Sequence, residues 1–168
     1  MNILVIDIGT TSIRGILFDA RGEMLDSHSI FTPVKIDPNG QFVEQDPLVY
    51  RHALVNICKT IAAEHPVDAV SVTAFRSAPT MVDKEGNALC NFIMWQDTRN
   101  AAICKALSSE NDFIYRHSGA KVNTVFTASK LTWLKRNAPE VYNKAYKAMI
   151  VPDYVVNFMT GEFATDHS

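Results

Sequence analysis

The length of the first connection in the chain constrains the fold more than any other feature of the sequence. Two dense aliphatic runs, residues 3–8 and 13–18, are separated by only the turn residues 9–12. Two parallel strands need a crossover of about a dozen or more residues, so these two runs must be antiparallel neighbours. A second turn leads into another extended run, residues 23–31. The sequence therefore predicts a three-stranded antiparallel meander.

Helical and extended patterns alternate after the meander. Asp46 and Pro47 are typical of a helix N-cap and a first helical residue, and apolar residues at helical spacing continue this helix to His65. The remaining predicted elements are strands over 67–73 and 148–151, a hairpin joining 81–82 to 89–95, and helices that begin after Asp97 and cover 127–137, 139–147 and 153–159. This order predicts a mixed α/β sheet with parallel strands and flanking helices, in one domain or part of one.

The composition is that of an ordinary globular protein, and it excludes several classes of function. Hydrophobic residues make up 47% and charged residues 20%, which excludes disordered and fibrous chains. With 16 basic and 18 acidic residues, the chain offers no basic surface to nucleic acid or anionic lipid. Three cysteines without CxxC spacing favour a reducing compartment. We therefore expect a cytoplasmic protein that binds neither nucleic acid nor membranes, and no transition-metal site.

The turn between the first two strands carries the strongest chemical signal. The residues that carry this signal are Asp7, Gly9, Thr10, Thr11, Ser12 and Arg14. A carboxylate at the end of an apolar strand is costly unless it is paired, hydrogen-bonded or bound to a metal. A glycine allows a sharp turn and lets an anion approach the backbone amides, and hydroxyl groups and an arginine can donate to phosphate oxygens.

This set of residues is suited to the phosphates of a nucleotide, with Asp7 acting on Mg²⁺ directly or through water. The alternative is a plain hairpin turn whose Asp and Thr side chains bond only to their own backbone. The spacing alone leaves both interpretations open. No Gly-Lys-Ser follows the turn, so it is not a Walker loop.

Four segments, in order along the chain, resemble the FGGY family of carbohydrate kinases, part of the actin/Hsp70/sugar-kinase superfamily. They are Asp7–Asp19, similar to the family's phosphate-binding hairpin; Phe42–Pro47, similar to W-x-E-Q-D-P with Phe42 in the place of Trp; Ile93–Arg99, similar to I-x-W-x-D-x-R; and Phe126–Asp166, which ends in the pattern Thr-Gly-x-x-x-Thr-Asp. The resemblance covers essentially the whole chain and implies a ribonuclease H-like α/β fold.

The resemblance implies ATP and Mg²⁺ as cofactors and phosphoryl transfer to a hydroxyl of a sugar, sugar acid or polyol. Asp7 would serve the metal and the phosphates, the hydroxyl residues at 10–12 would line the phosphate loop, and Arg14 would sit beside the transferred group. Residues 1–168 would be the N-terminal, sugar- and phosphate-binding portion of such a kinase, without the C-terminal ATP-binding domain. A homodimer of the full-length protein is a further expectation.

The resemblance assigns no catalytic residue to this chain. The base of the FGGY family is an Asp in a later segment of the N-terminal half, which the resemblance places beyond Ser168, the last residue of the sequence. No residue of the chain aligns with that Asp. We therefore expect no turnover by this chain alone.

The resemblance also implies substrate contacts at Arg76, Ser77, Trp95 and Asp97. Glycerol kinases carry Arg-Glu and xylulokinases Met-His at the place of Arg76 and Ser77, and Val125 replaces a tyrosine of the glycerol kinases. Ser77 and Val125 therefore depart from the glycerol pattern, which favours a ketopentose such as xylulose, or a related sugar acid, over glycerol. The indole of Trp95 could cover the apolar face of a sugar, or it could belong to ordinary core packing.

Several of these assignments keep two interpretations. Asp97 and Arg99 either bind the substrate or hold each other and their loop. Lys130 could contact a phosphate, but a solvated helix face is expected, and Trp133 is expected in the core. Beside the kinase, a non-catalytic sugar- or phosphate-binding module and a fragment of a glycerol kinase-type enzyme remain as alternatives.

Overall fold

The computed structural model describes residues 1–166, which form two compact units interleaved along the chain. The first unit comprises residues 1–34, residues 45–76 and the chain from Val151 onward, and the second comprises residues 35–44 and 77–150. In chain order the strands are β1 (Ile3–Ile8), β2 (Ser12–Phe18), β3 (Met24–Phe31), β4 (Lys35–Ile36), β5 (Val43–Gln45), β6 (Ala69–Ala74), β7 (Pro79–Val82), β8 (Phe92–Ile93) and β9 (Lys147–Ile150). The helices are α1 (Pro47–Glu64), α2 (Ala101–Ala106), α3 (Asn111–Ser118), α4 (Thr127–Asn137), α5 (Pro139–Lys144) and α6 (Val151–Thr160).

The first unit contains a mixed sheet with the strand order β3-β2-β1-β6. β1 and β2 are antiparallel, and so are β2 and β3, which confirms the predicted meander. β6 pairs with β1 in parallel and, within the described part of the chain, lies at the edge of this sheet. Alternate residues of β1, namely Leu4, Ile6 and Ile8, are buried, as the two-residue period of a strand requires.

Helix α1 packs against the sheet of the first unit, and its start follows from local sequence. Asp46 Oδ1 accepts a hydrogen bond from the Leu48 amide at 2.9 Å, and Pro47 is the first helical residue, as predicted. Gly15 in β2 lies directly under this helix, because a Cβ at this position would be 2.2 Å from Ile57 Cγ2. The glycine therefore lets α1 approach the two strands that carry the candidate phosphate hairpin.

The second unit contains two small sheets and the helices α2 to α5. One sheet has the order β4-β5-β8, and the other pairs β7 with β9 in antiparallel fashion. Met81, Ile93 and Leu134 form a buried cluster, and the partly buried Trp133 packs against it. Trp133 thus contacts the core, as expected from the sequence, but its ring is not fully enclosed.

The hairpin predicted between residues 81–82 and 89–95 is only partly formed. The chain turns after Val82, and Val82 forms an isolated bridge with Ala88. The strand partner of β7 is nevertheless β9, and only two residues of the second run belong to a strand, β8. Local turn chemistry was therefore predicted correctly, while the strand pairing depends on a segment much later in the chain.

Some helix boundaries agree with the sequence-based prediction and others differ. Helix α4 covers the predicted residues 127–137. Helix α5 begins at the predicted Pro139 but ends earlier than predicted, because the chain becomes extended in β9. Helix α3 was not predicted, and neither were β4 and β5, which are too short to show a periodic pattern. The α/β class with a mixed sheet is confirmed. No helix within residues 1–166 is long and apolar enough to cross a membrane.

Candidate functional site

The candidate phosphate hairpin, residues 7–14, joins β1 to β2 in the first unit. Asp7 and Arg14 are cross-strand neighbours in the antiparallel register, and Arg14 Nη2 donates to Asp7 Oδ2 at 2.5 Å. The Arg14 side chain is 57% exposed and that of Asp7 is 30% exposed. An exposed ion pair of this kind contributes only about 0–1 kcal/mol, so an incoming phosphate or metal ion can compete for either partner. The pair places one cation and one hard oxygen ligand side by side.

The tip of the hairpin is closed by a backbone hydrogen bond. The Gly9 amide donates to Ser12 O at 2.9 Å, and a Cβ on Gly9 would lie 3.1 Å from the same oxygen. Gly9 is therefore required because it lets the backbone of Ser12 approach closely, and its amide closes the turn instead of facing an anion. This corrects the sequence-based expectation for the Gly9 amide. The hydroxyls of Thr10, Thr11 and Ser12 remain the candidate phosphate donors.

Gln45 holds the hairpin in place, a role that the sequence did not reveal. Its side chain is fully buried, and Nε2 donates to Thr10 O at 2.8 Å and to Thr32 O at 3.0 Å. Oε1 accepts a hydrogen bond from the Tyr50 hydroxyl. Burial raises the pKa of Tyr50, so this hydroxyl stays protonated and able to donate. The Thr32 amide in turn donates to Thr11 O at 2.8 Å, so the tip is tied to the chain after β3 as well.

No hydrophobic period in the sequence marks Gln45, because it lies between two acidic residues, and the two-residue period is seen in the burial of the folded chain. Val43, Gln45 and Pro47 are buried while Glu44 and Asp46 between them are partly exposed. Such alternation places a polar side chain on the inner face of a strand, where it must find hydrogen-bond partners.

Only Asp7 among the sequence-predicted residues is suited to hold a metal ion. Its carboxylate is a hard oxygen ligand that remains partly accessible, as Mg²⁺ coordination completed by phosphate and water requires. Asp26, Glu64 and His65 also come together, with ligand atoms within 4.8 Å of one another. His65 Nε2 is 3.6 Å from Asp26 Oδ2, and we interpret this group as a surface ion pair that forms when the imidazole is protonated.

The candidate sugar loop, residues 94–99, lies in the second unit and has a rigid base. Asp97 is fully buried, and its Oδ2 accepts from the Val43 amide at 2.7 Å. Arg99 donates to both oxygens of the same carboxylate, through Nε at 2.9 and 3.0 Å and through Nη2 at 2.8 Å. Of the two interpretations of Asp97 and Arg99, the structure favours the one in which they hold each other and their loop. A carboxylate without exposed surface offers no contact to a substrate.

Arg99 also contacts Phe42 and Glu44, which lie shortly before α1. Its Nη2 donates to Glu44 Oε1 at 2.7 Å, and its guanidinium carbon lies 4.3 Å from the Phe42 ring centroid and 4.9 Å from that of Trp133. Burial alone would lower the pKa of Arg99, but the hydrogen bonds to Asp97 and Glu44 outweigh it and raise the pKa. The guanidinium is thus a permanent cation between two carboxylates and two aromatic faces.

Trp95 stands out against this fixed base because its side chain is 40% exposed. Met94 before it and Asp97 after it are fully buried. The structure therefore does not place Trp95 in the core, which was the alternative to a substrate contact. An accessible indole on a rigid loop is the arrangement that stacking on a sugar requires.

Lys130 is where the expectation from sequence is wrong. Instead of lying on a solvated helix face, its side chain is fully buried. Nζ donates to Ser77 O at 2.8 Å and to Met94 O at 2.7 Å, with Ile93 O at 3.5 Å. Burial lowers the pKa of Lys130 to about 8. The available signal was the i, i+4 relation to the buried Leu134, which places both residues on one helix face.

Arg76 and Ser77 fall on either side of the boundary between the units. Arg76, which follows β6, is exposed. Ser77 has a φ of 65°, in the left-handed region that residues other than glycine rarely adopt. A non-glycine residue held in this conformation is frequently found at functional sites.

The part of the chain that the structure describes does not include the catalytic Asp that the family resemblance implies. Ser168, beyond which the family resemblance places the catalytic Asp, lies outside the described residues, which end at 166. The position of that Asp therefore stays a prediction. The site described above consists of phosphate-binding and substrate-binding candidates.

Residues 2–168 match the model of the FGGY family of carbohydrate kinases, N-terminal domain. The chain belongs to this family. It is similar to a gluconokinase of Bacillus subtilis (28% identity, 98% of this chain and 33% of the relative). It is similar to a xylulose kinase of Escherichia coli, with 30% identity over 97% of this chain and 34% of the relative. It is also similar to a glycerol kinase of Thermococcus onnurineus, with 32% identity over 99% of this chain and 36% of the relative. The chain thus spans about a third of the length of these FGGY relatives.

Solved structures of sugar kinases share the fold. A xylulose kinase from Brucella ovis matches with a TM-score of 0.89 at 25% identity, over 96% of this chain and 35% of that one. A gluconate kinase from Lactobacillus acidophilus matches with a TM-score of 0.87 at 26% identity, over 96% of this chain and 34% of that one. The ribonuclease H-like α/β fold expected from the sequence is confirmed.

Proposed function

We propose that the protein to which this chain belongs transfers the γ-phosphoryl group of ATP, with Mg²⁺, to a hydroxyl of a sugar, sugar acid or polyol. Membership of the FGGY family supports the reaction class. The observation that carries the acceptor class is the exposed Trp95 on a loop fixed by Asp97 and Arg99. A flat, accessible indole with a rigid base can cover the apolar C–H face of a carbohydrate.

Each group of the phosphate hairpin has a distinct task in this proposal. Asp7 binds Mg²⁺ directly or through water, and the hydroxyls of Thr10, Thr11 and Ser12 donate to phosphate oxygens. Arg14, 2.5 Å from Asp7 Oδ2, neutralises charge on the transferred group. Bound Mg²⁺ would supply further charge neutralisation on the phosphates. Phosphoryl transfer depends mainly on such positioning and neutralisation, together with a base that accepts the hydroxyl proton.

We further propose that the 168-residue chain binds ligands but does not turn over by itself. The family resemblance implies a catalytic Asp beyond Ser168, and the chain spans about a third of the length of its relatives. Such a chain would provide the sugar loop and the phosphate hairpin and would need a base and an adenine site from elsewhere. A cytoplasmic location remains part of the proposal.

For the acceptor we propose a ketopentose such as xylulose, or a related sugar acid, in preference to glycerol. The three named relatives have similar identities, so overall similarity does not discriminate among their substrates. The argument depends on Arg76 and Ser77, where the second residue lacks the carboxylate that would accept hydrogen bonds from a polyol. The alternative of a glycerol kinase-type enzyme is tested by the same panel of ligands.

Calorimetric titration of the chain with xylulose, ribulose, gluconate and glycerol tests the proposal. We expect saturable binding of at least one sugar, and Trp95→Ala should weaken it about tenfold or more, equivalent to ~1.4 kcal/mol. Tyr115→Ala is the matched control, because Tyr115 is also an exposed aromatic residue of the second unit. Absence of binding across the panel, or equal affinity in Trp95→Ala, would contradict the sugar loop.

A further inference from the structure

The ammonium group of Lys130 joins two backbone segments that are distant in sequence. Its short hydrogen bonds reach Ser77 O, 53 residues away, and Met94 O, 36 residues away, at 2.8 and 2.7 Å. The longer contact, at 3.5 Å, is with Ile93 O. Each of the three ammonium hydrogens therefore has a carbonyl oxygen within reach.

A fully buried lysine is rare, and one without a carboxylate partner is rarer. The carboxylate that acts on its charge is that of Asp97, whose oxygens accept hydrogen bonds from Arg99 and the Val43 amide. Within residues 1–166, the acceptors of Lys130 are backbone carbonyls only. Its bonds therefore fix the direction of peptide planes and do not form a salt bridge.

The two segments are those that carry the candidate substrate contacts of the second unit. Ser77 is itself one of them, and its left-handed backbone, with φ of 65°, points its carbonyl toward the ammonium group. Met94 immediately precedes Trp95, so the peptide that leads into the indole is the one Lys130 holds. The Met94 amide donates to Val43 O at 2.9 Å, which fixes the other side of the same residue.

We propose that Lys130 is a positioning residue for the sugar loop: it holds Ser77 and the peptide before Trp95 in the arrangement that receives the substrate. Lys130 does not touch the substrate in this proposal. The hydrogen bond to Met94 O by itself fixes the peptide before Trp95. The importance of Lys130 for substrate binding rests on the proposed function.

The test compares Lys130→Met with Lys135→Met in the 168-residue chain labelled with fluorotryptophan. Methionine keeps the apolar stem of Lys130 and removes the ammonium group. Lys135 is on the same helix but exposed, so it is the matched control. The chain has two tryptophans, and a Trp133→Phe sample assigns the two fluorine resonances.

We expect the Trp95 resonance to shift and broaden in Lys130→Met while that of Trp133 changes little. Lys135→Met should match the wild type at both. Sugar affinity should fall by about tenfold in Lys130→Met, since a displaced indole loses the contact that Trp95→Ala removes. A folded Lys130→Met with an unchanged Trp95 resonance would overturn the proposal.

A measurement on the wild-type chain covers the case in which Lys130→Met does not fold. Buried and bonded ammonium hydrogens exchange slowly, so the wild type should show one slowly exchanging lysine ammonium signal with cross-peaks to the Ser77 and Met94 region. Fast exchange of every lysine ammonium would overturn the proposal. If the wild type binds no sugar, the proposed function fails, and the response of Trp95 to Lys130→Met still decides whether Lys130 positions the loop.

Discussion

Replacing Gln45 by leucine should loosen the candidate phosphate hairpin while leaving the fold intact. Leucine is similar in volume but removes every hydrogen bond of this side chain, namely the two donated to Thr10 O and Thr32 O and the one accepted from Tyr50. Because Gln45 is fully buried, water cannot replace these bonds at the same place. The perturbation therefore acts on the hairpin tip without opening a large cavity.

The size of the effect follows from the three bonds. A net hydrogen bond contributes about 0.5–1.5 kcal/mol, and a buried acceptor left without a donor costs about 1–3 kcal/mol. Thr32 is fully buried and Thr10 only partly, so the larger cost applies to Thr32 O. We expect a loss of about 2–4 kcal/mol in the free energy of unfolding of the first unit. A domain stability of about 5–15 kcal/mol leaves the variant folded.

Urea unfolding and residue-resolved hydrogen exchange measure this loss. The amides of Gly9 and Thr32, which bond to Ser12 O and Thr11 O, should lose protection more than amides inside β1 and β2. Gln41→Leu is the matched control, because Gln41 is exposed and the chemical change is identical. The control should unfold like the wild type.

A double-mutant cycle with Tyr50→Phe separates the bond to Tyr50 from the two bonds to the backbone. Gln45→Leu combined with Tyr50→Phe should cost less than the sum of the single changes, since the two side chains share a bond. Gln45→Leu with the stability of Gln41→Leu and with unchanged exchange at Gly9 and Thr32 would refute the clamp.

Two further predictions concern the packing of the sheet and the buried lysine. Gly15→Ala should destabilise the first unit by about 1–3 kcal/mol, because the added Cβ would be 2.2 Å from Ile57 Cγ2; urea unfolding should show partial rescue by Ile57→Ala, and additive losses would exclude this clash. Lys130 binds its proton less tightly in the folded state, with a pKa of about 8 against 10.5 when unfolded. The unfolded chain therefore binds more protons between these values, and stability should rise with pH from about 8 to 10.5 relative to Lys130→Met, by at most ~1.4 kcal/mol per pH unit. Parallel stability profiles of the two proteins across that range would show that Lys130 does not titrate as described.

The parts of the fold that could be predicted are those set by neighbouring residues. The short connection between β1 and β2 permits only antiparallel pairing, and Asp46 followed by Pro47 marks the start of α1. The partner of β7 could not be predicted, because β7 pairs with β9, which is distant in sequence, at the end of the second unit. Strands as short as β4 and β8 form only where a neighbour is already in place.

The same distinction applies to the candidate site. The hydroxyls, Asp7 and Arg14 of the hairpin could be found from sequence because they are contiguous and chemically distinctive. Gln45 and Lys130 were missed, because a polar residue is ordinarily solvated and only the tertiary structure supplies the carbonyls that bury it. For Asp97 the sequence left a substrate contact and a pair with Arg99 both open, because the Val43 amide and the full burial that bear on this choice come only from the folded chain.

Product analysis of phosphoryl transfer tests the central claim most directly. The 168-residue chain, and any longer natural protein that contains it, are incubated with ATP, Mg²⁺ and, in separate reactions, xylulose, ribulose, gluconate and glycerol. We predict ADP and a phosphorylated product with at least one acceptor, faster with a ketopentose or sugar acid than with glycerol, and no product from the 168-residue chain alone. No phosphorylated product from any acceptor, or clear turnover by the 168-residue chain, would contradict the account.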